Sequence, residues 1–245
     1  MTDNPLAQVD TLVFDIFGTV LDLGGSLSEP AGRFLVEHGS SVTAEEFWAD
    51  WRGRQRIEQY QDNLYMLGHS GYLETCRRSF VYCLRLHSVA FEPRDVDRFM
   101  AVYEDLSPFD DAVQGLQKLV ESRRFGLVVL SNGEQSYLER MAANNVGIRF
   151  DDVISVEKAG VFKPHPAVYR TAARILDKAP GEIMMVSSHS FDVTGARASG
   201  FRAGYVNRYN LPNEESVYLP DFEVADFHEL VERLLSTSQP EAGGQ

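Results

Sequence analysis

The stretch Thr11-Leu12-Val13-Phe14-Asp15-Ile16-Phe17-Gly18-Thr19-Val20-Leu21-Asp22 decides how the rest of the chain is read. Its apolar run, Leu12 to Phe14, predicts a buried parallel strand, because strands covered on both faces lose the polar–apolar alternation of half-exposed ones. Asp15 ends that run where strand gives way to a turn containing Gly18. In open α/β sheets this carboxyl edge is where ligands bind. A carboxylate there is either a turn-former accepting backbone N–H groups or a nucleophile aimed into a crevice. Taken alone, the stretch leaves both readings open.

Downstream of Asp22 the pattern turns helical and stays so to about Asp105. Residues 44–61 combine helix formers with Phe47, Trp48, Trp51 and Ile57 behind a Thr43 N-cap. A second helix is predicted from about Ser70 to Leu86, and a third after Pro93 through Val96, Phe99, Met100 and Val102. From Pro108 strands and helices alternate. Strands are predicted at Gly126–Leu130, Val153–Ser155, Ile183–Val186 and Ala203–Val206, and helices at 112–122, 135–144, 166–176, 193–199 and 227–235. The fold class is therefore α/β: a doubly wound, mostly parallel, Rossmann-like sheet carrying an inserted helical cap domain. Residues 1–22 and 106–235 form the core, 23–105 the cap, and 236–245, rich in Ser, Gly, Gln and Pro, a disordered tail.

Composition narrows the function classes. The chain has 245 residues, 44% hydrophobic and 24% charged, as in ordinary globular proteins. A formal net charge of −13 argues against a nucleic-acid partner, which needs a basic surface. It leaves room for a small anion, because the local field of a pocket can oppose the global charge. No apolar run approaches the roughly 18 residues that span a bilayer, and the start lacks the basic-then-apolar pattern of a signal peptide. Cys76 and Cys83, seven apart in a helical pattern, read as free thiols of a cytoplasmic protein.

Four strand ends carry polar residues where this architecture places a site. They are Asp15 with Thr19; Ser131-Asn132-Gly133; Lys163-Pro164; and Ser187-Ser188-His189-Ser190-Phe191-Asp192. Each alone suits turn or capping chemistry. Together, in the order Asp, Ser, Lys, Asp, they resemble the haloacid dehalogenase-like superfamily of hydrolases. The segments Asp15-x-Phe17-Gly18-Thr19-x-x-Asp22, Leu130-Ser131-Asn132-Gly133, Lys163-Pro164-x-x-x-x-Tyr169 and Ser187-Ser188-x-x-x-Asp192-x-x-Gly195-Ala196 are similar to its 2-haloacid dehalogenase branch. So are Gly200-Phe201-Arg202, Val206-Asn207-Arg208 and, in the cap, Trp51-Arg52-x-x-Gln55.

The resemblance implies hydrolytic dehalogenation of short (S)-2-haloalkanoic acids through an ester on Asp15, without metal or other cofactor. Two places past the nucleophile, phosphatases of this superfamily carry an aspartate that protonates the departing alkoxide. Here that position is Phe17. An aromatic ring delivers no proton, and a halide, already a stable anion, needs none. By resemblance Lys163 keeps Asp15 ionised, Asp192 pairs with Lys163 and positions water, and Thr19 hydrogen-bonds Asp15. Ser187 and His189 lie in the same catalytic segment. Ser131 with the amides of Ile16 and Phe17 cradles the substrate carboxylate, while Arg52 and Asn132 contact the halide. Tyr169 either supports Lys163 or packs in the core. Trp51 and Phe17 are expected as apolar walls, and Arg54 and Arg56 as surface residues. His189 stands where the branch commonly has Asn, either as a substitute that orients water or Asp192, or as the mark of a subgroup with altered halide size. The implied partners are a small haloacid, water and a second copy of the chain, with no nucleic acid and no membrane. Alternatives are a magnesium-dependent phosphatase or phosphonatase of the same superfamily, and a non-catalytic carboxylate-binding relative.

Overall fold

The computed structural model of the protein describes residues 6–236. Six parallel strands form one sheet: β1 (Thr11–Phe14), β2 (Gly126–Ser131), β3 (Asp152–Ser155), β4 (Ile183–Ser187), β5 (Arg202–Val206) and β6 (Phe222–Val224). Their spatial order is β3-β2-β1-β4-β5-β6. The chain thus winds out in one direction from β1 and then in the other, and β1 stands at the switch point where a crevice opens beyond the strand ends. Phe14 is in register with Val129 on one side and Val186 on the other. One residue further on lie Asp15, Leu130 and Ser187, and the Asp15 N–H donates to the Val186 carbonyl at 3.1 Å. All four residues of β1 are buried, as a central parallel strand requires.

Both faces of the sheet are covered. On one face Val13, Val128, Ile154 and Met185 pack under α7 (Pro166–Leu176) and α8 (Ser190–Ala198). On the other, Leu12, Phe14 and Val129 pack with α5 (Asp110–Ser122) and α9 (Phe227–Ser236). Truncating a ring such as Phe14 at such a position costs about 3–5 kcal/mol.

Between β1 and α5 the chain forms α1 (Leu23–Glu37), α2 (Ala44–Leu64), α3 (Tyr72–Leu86), α4 (Pro93–Met100) and a 3₁₀ turn, Ala101–Asp105. Thr43 caps α2 by accepting the Glu46 N–H at 3.2 Å, and Glu45 and Glu46 complement the helix dipole. The helices close around Trp51, whose ring lies 5.0 Å from that of Phe80 and 5.5 Å from that of Phe99. Its Nε1 donates to the Cys76 carbonyl and the Ser79 hydroxyl. Trp51 is thus interior to the helical layer, and the expectation that it walls the site is corrected. These apolar side chains run without a break into the cluster on the Leu12–Phe14 face.

Four departures from the sequence reading have local causes. Helix α1 was not singled out, because Gly24, Gly25 and Pro30 dilute its pattern; it forms on the Asp22 cap, which accepts the Gly25 N–H at 2.8 Å. The single helix expected over 135–144 is α6 (Gln135–Arg140) followed by a π-helical turn, Met141–Val146, closed by Gly147 at φ 69°. Strand β6 was missed because three residues with one exposed side chain, Glu223, give little alternation to read. Ser236, assigned to the tail, is the last residue of α9; positions 237–245 lie outside the described residues.

Candidate active site

The crevice at the switch point gathers the four strand ends. Asp15 is 4% exposed, and its carboxylate is held on both sides. The Thr19 hydroxyl donates to Oδ2 at 2.8 Å and itself accepts the Ser188 N–H at 2.9 Å. The Ser131 hydroxyl donates to Oδ1 at 3.1 Å and accepts the Ile16 N–H at 3.4 Å. Lys163, 1% exposed, spends all three ammonium donors: on Asp15 Oδ1 at 2.9 Å, the Leu130 carbonyl at 2.9 Å and Asp192 Oδ2 at 2.7 Å. Tyr169 donates to Asp192 Oδ1 at 2.7 Å, so it supports the lysine through its partner. Gly195 permits this arrangement: a Cβ there would lie 2.7 Å from both the Tyr169 hydroxyl and Pro164 Cβ.

The electrostatics follow from that packing. Burial alone would push the Asp15 carboxyl up, but the Lys163 ammonium and the hydrogen bonds from Lys163 and Thr19 outweigh it and hold Asp15 below the usual carboxylate range. Burial opposes the Lys163 charge, yet two facing carboxylates raise its pKa above the usual lysine value. Asp192 is pushed up, first by burial and then by the Asp15 charge sharing its lysine. His189 is drawn down to about 4 by burial and by the Arg52 guanidinium, so it is neutral at neutral pH and lends Asp15 no charge there.

The rest of the predicted set arrives from both sides of the cleft. Arg52 on α2 places Nη1 on Gln55 Oε1 at 2.9 Å and Nη2 at 3.0 Å from His189 Nε2. The same His189 nitrogen is 2.9 Å from the Phe17 carbonyl and 3.7 Å from Asp15 Oδ2. This seam closes over Gly18, at φ +88°, where a Cβ would lie 3.1 Å from the imidazole and 3.3 Å from Arg52 Nη2. Phe17 is 3% exposed and stacks on Tyr72, centroids 4.2 Å apart. Asn132 lines the cleft with its amide engaged: Oδ1 accepts the Lys163 N–H at 2.9 Å and Nδ2 donates to Gln59 Oε1 at 2.8 Å. Ser187 is buried one step from the carboxylate, and its hydroxyl accepts the His189 N–H at 3.2 Å, holding the turn and not Asp15.

Sequence reasoning missed Arg56, Gln59, Tyr72 and Phe191, all of which line the cleft with Asp15. Arg56 and Gln59 follow Arg52 by four and seven positions, the spacing of one helix face, and that was the available signal. Arg56, expected as a surface residue, is half-buried at the cleft. Tyr72 and Phe191 carried no signal beyond their contacts. The space left around Asp15 for the centre of a water-sized sphere is only about 20 Å³, little more than one water needs.

Known proteins resemble the chain over most of its length. A family model for haloacid dehalogenase-like hydrolases matches residues 9–200. An (S)-2-haloacid dehalogenase of Pseudomonas sp. strain CBS-3 is 31% identical over 228 residues, covering 93% of this chain and 97% of its own. One from Xanthobacter autotrophicus is 32% identical over 207 residues, covering 82% and 76%. The solved structure of the Xanthobacter autotrophicus L-2-haloacid dehalogenase with chloropropionic acid covalently bound superposes with a TM-score of 0.79 at 25% identity, covering 94% of this chain and all of that one. With the strand-end residues assembled on one switch point and the match spanning most of its length, the chain belongs to the haloacid dehalogenase-like hydrolases.

Proposed function

We propose that the protein is a hydrolase of carbon–halogen bonds that converts short (S)-2-haloalkanoic acids to 2-hydroxy acids. The carrying observation is the buried Asp15, ionised against Lys163, with Phe17 in place of a proton donor. In the first step the Asp15 carboxylate attacks C2 in line; the new carbon–oxygen bond forms as the halide leaves with the old bonding pair, inverting the centre. Arg52 stabilises the departing anion, and Ser131 with the Ile16 and Phe17 amides takes the substrate carboxylate. Water then attacks the ester carbonyl, one of its protons leaving with the product hydroxyl and the other passing to solvent. Asp192, fixed by Lys163 and Tyr169, orients that water. Residues 23–105 act as a cap that closes the cleft.

Support comes also from the relatives named for this reaction and from the chloropropionic acid covalently bound in one solved structure. A phosphatase reading lacks an acid at position 17, and the ammonium of Lys163 sits between the two carboxylates that would face a divalent cation. The same reading carries a homodimer and, with Cys76 and Cys83 free and buried, a reducing cytoplasmic setting.

Halide release from (S)-2-chloropropionate without added metal tests it. Asp15→Asn should abolish release. A single turnover in water enriched in the heavy oxygen isotope should label Asp15 itself; label found only in the first-turnover product means direct hydrolysis and overturns the ester route.

A further inference from the structure

Beside the catalytic cleft lies a second, larger chamber of about 540 Å³, bounded by Leu23 and Trp48 of the helical layer and by Tyr209 and Leu211 of the loop after β5. Arg52, Arg56 and His189 line both spaces, so these side chains form the wall that the chamber shares with the reaction site.

Arg56 is the anomaly at that junction. Among the described residues it has no ion pair and no hydrogen bond, and its Nε is buried without a partner. The centroid of the Phe191 ring lies 5.8 Å from the guanidinium carbon. Neighbouring cations are treated otherwise: Arg54 pairs with Glu58 at 2.6 Å and lies 4.0 Å over the Tyr82 ring, and Arg78 pairs with Glu58 and Asp62. Acidic residues are not scarce in a chain with 36 of them against 23 Lys and Arg. A guanidinium stays charged, and partly burying it unpaired is costly. Placing it four residues from Arg52 on one helix face adds like-charge repulsion. Such an arrangement is relieved by an incoming anion.

We propose that Arg56 and the adjoining chamber form a subsite for a second carboxylate, so that the substrates include 2-halodicarboxylic acids of halosuccinate size. The inference rests on the dehalogenase reading above. The first carboxylate and C2 stay at Ser131 and Asp15, and the distal carboxylate reaches past Arg52 to Arg56, where a planar fork meets it with two parallel hydrogen bonds.

The test compares 2-chlorosuccinate with (S)-2-chloropropionate in halide release, and malate with lactate in equilibrium binding by calorimetry. Wild type, Arg56→Leu and Arg56→Lys are measured. The ratio of kcat/KM for chlorosuccinate to that for chloropropionate should fall about tenfold or more in Arg56→Leu and recover in part in Arg56→Lys. Wild type should bind malate more tightly than lactate, and Arg56→Leu should lose that preference. An unchanged ratio, or malate bound no better than lactate by wild type, overturns the subsite. A malate preference that follows Arg56 in a protein releasing halide from neither substrate leaves the subsite standing and overturns the dehalogenase reading alone.

Discussion

His189 Nε2 has a donor, Arg52, at 3.0 Å and an acceptor, the Phe17 carbonyl, at 2.9 Å, and one nitrogen serves one of them at a time. Neutral imidazole can accept from Arg52; burial disfavours the protonated form, which would also face a second cation, and the two together draw its pKa down to about 4. The signs fix the pH profile. Asp15, held below the usual range, is ionised throughout neutral pH; Lys163, held above, is cationic; His189 is uncharged. The rate constant kcat/KM for 2-chloropropionate should therefore be flat from about pH 5 to about pH 10, falling below that as His189 gains a proton and crowds Arg52. A titration near pH 7 in that profile contradicts the assignment. His189→Asn, which replaces one neutral hydrogen-bonding group with another worth about 1 kcal/mol, should keep turnover within about tenfold. Complete loss would assign His189 a chemical step of its own.

Helix α2 meets the loops at the strand ends with polar side chains. Gln59 meets Asn132, Arg52 meets His189, and Asn63 both donates to the Phe162 carbonyl and accepts the Phe162 N–H, each at 2.9 Å. Phe162 precedes Lys163, so this pair ties the helix to the Lys163 loop. Asn63→Ala leaves the N–H of the fully buried Phe162 unpaired and its carbonyl with the His165 N–H alone, at 3.1 Å, and should lower stability by about 1–3 kcal/mol, read from urea midpoints, and raise KM as the lysine loop loosens. Tightened KM would contradict that tie. The existence of α2 was legible in Phe47, Trp51 and the Thr43 cap. Its polar face was not, because Gln55, Gln59 and Asn63 look like a solvated surface until residues 48, 73 and 99 positions away fold against them. The same blindness hid Arg56. Asp15, Thr19, Lys163 and Asp192 were legible because strand ends converge in a doubly wound sheet whatever the loops between them do. Position alone did not reveal that Ser187 faces its own turn and Trp51 its own layer.

On the scale of the molecule, a chain of net charge −13 surrounds a cleft with three cations, Arg52, Arg56 and Lys163, against two carboxylates. The local excess is what draws an anionic acid inward. At the C-terminus of α2 the surface changes character: Leu64 is 78% and Met66 90% exposed, with Tyr65 and Leu67 also outward. Under the homodimer proposed above, this contiguous apolar exposure is the candidate contact with a second copy. Leu64→Ser combined with Met66→Ser should turn a dimer into a monomer by light scattering on a sizing column. A dimer that survives the double change places the contact elsewhere.

The space around Asp15 is small, about 20 Å³ for the centre of a water-sized sphere, and Arg52, Arg56 and Gln59 of α2 line it. A haloacid that reaches Asp15 therefore has to displace these side chains, and the product acid and halide have to pass them again. Where that passage is slower than scission of the carbon–halogen bond, chloride and bromide analogues should share nearly the same kcat, and a bromide analogue turned over many times faster than its chloride counterpart places the slow step at the bond instead.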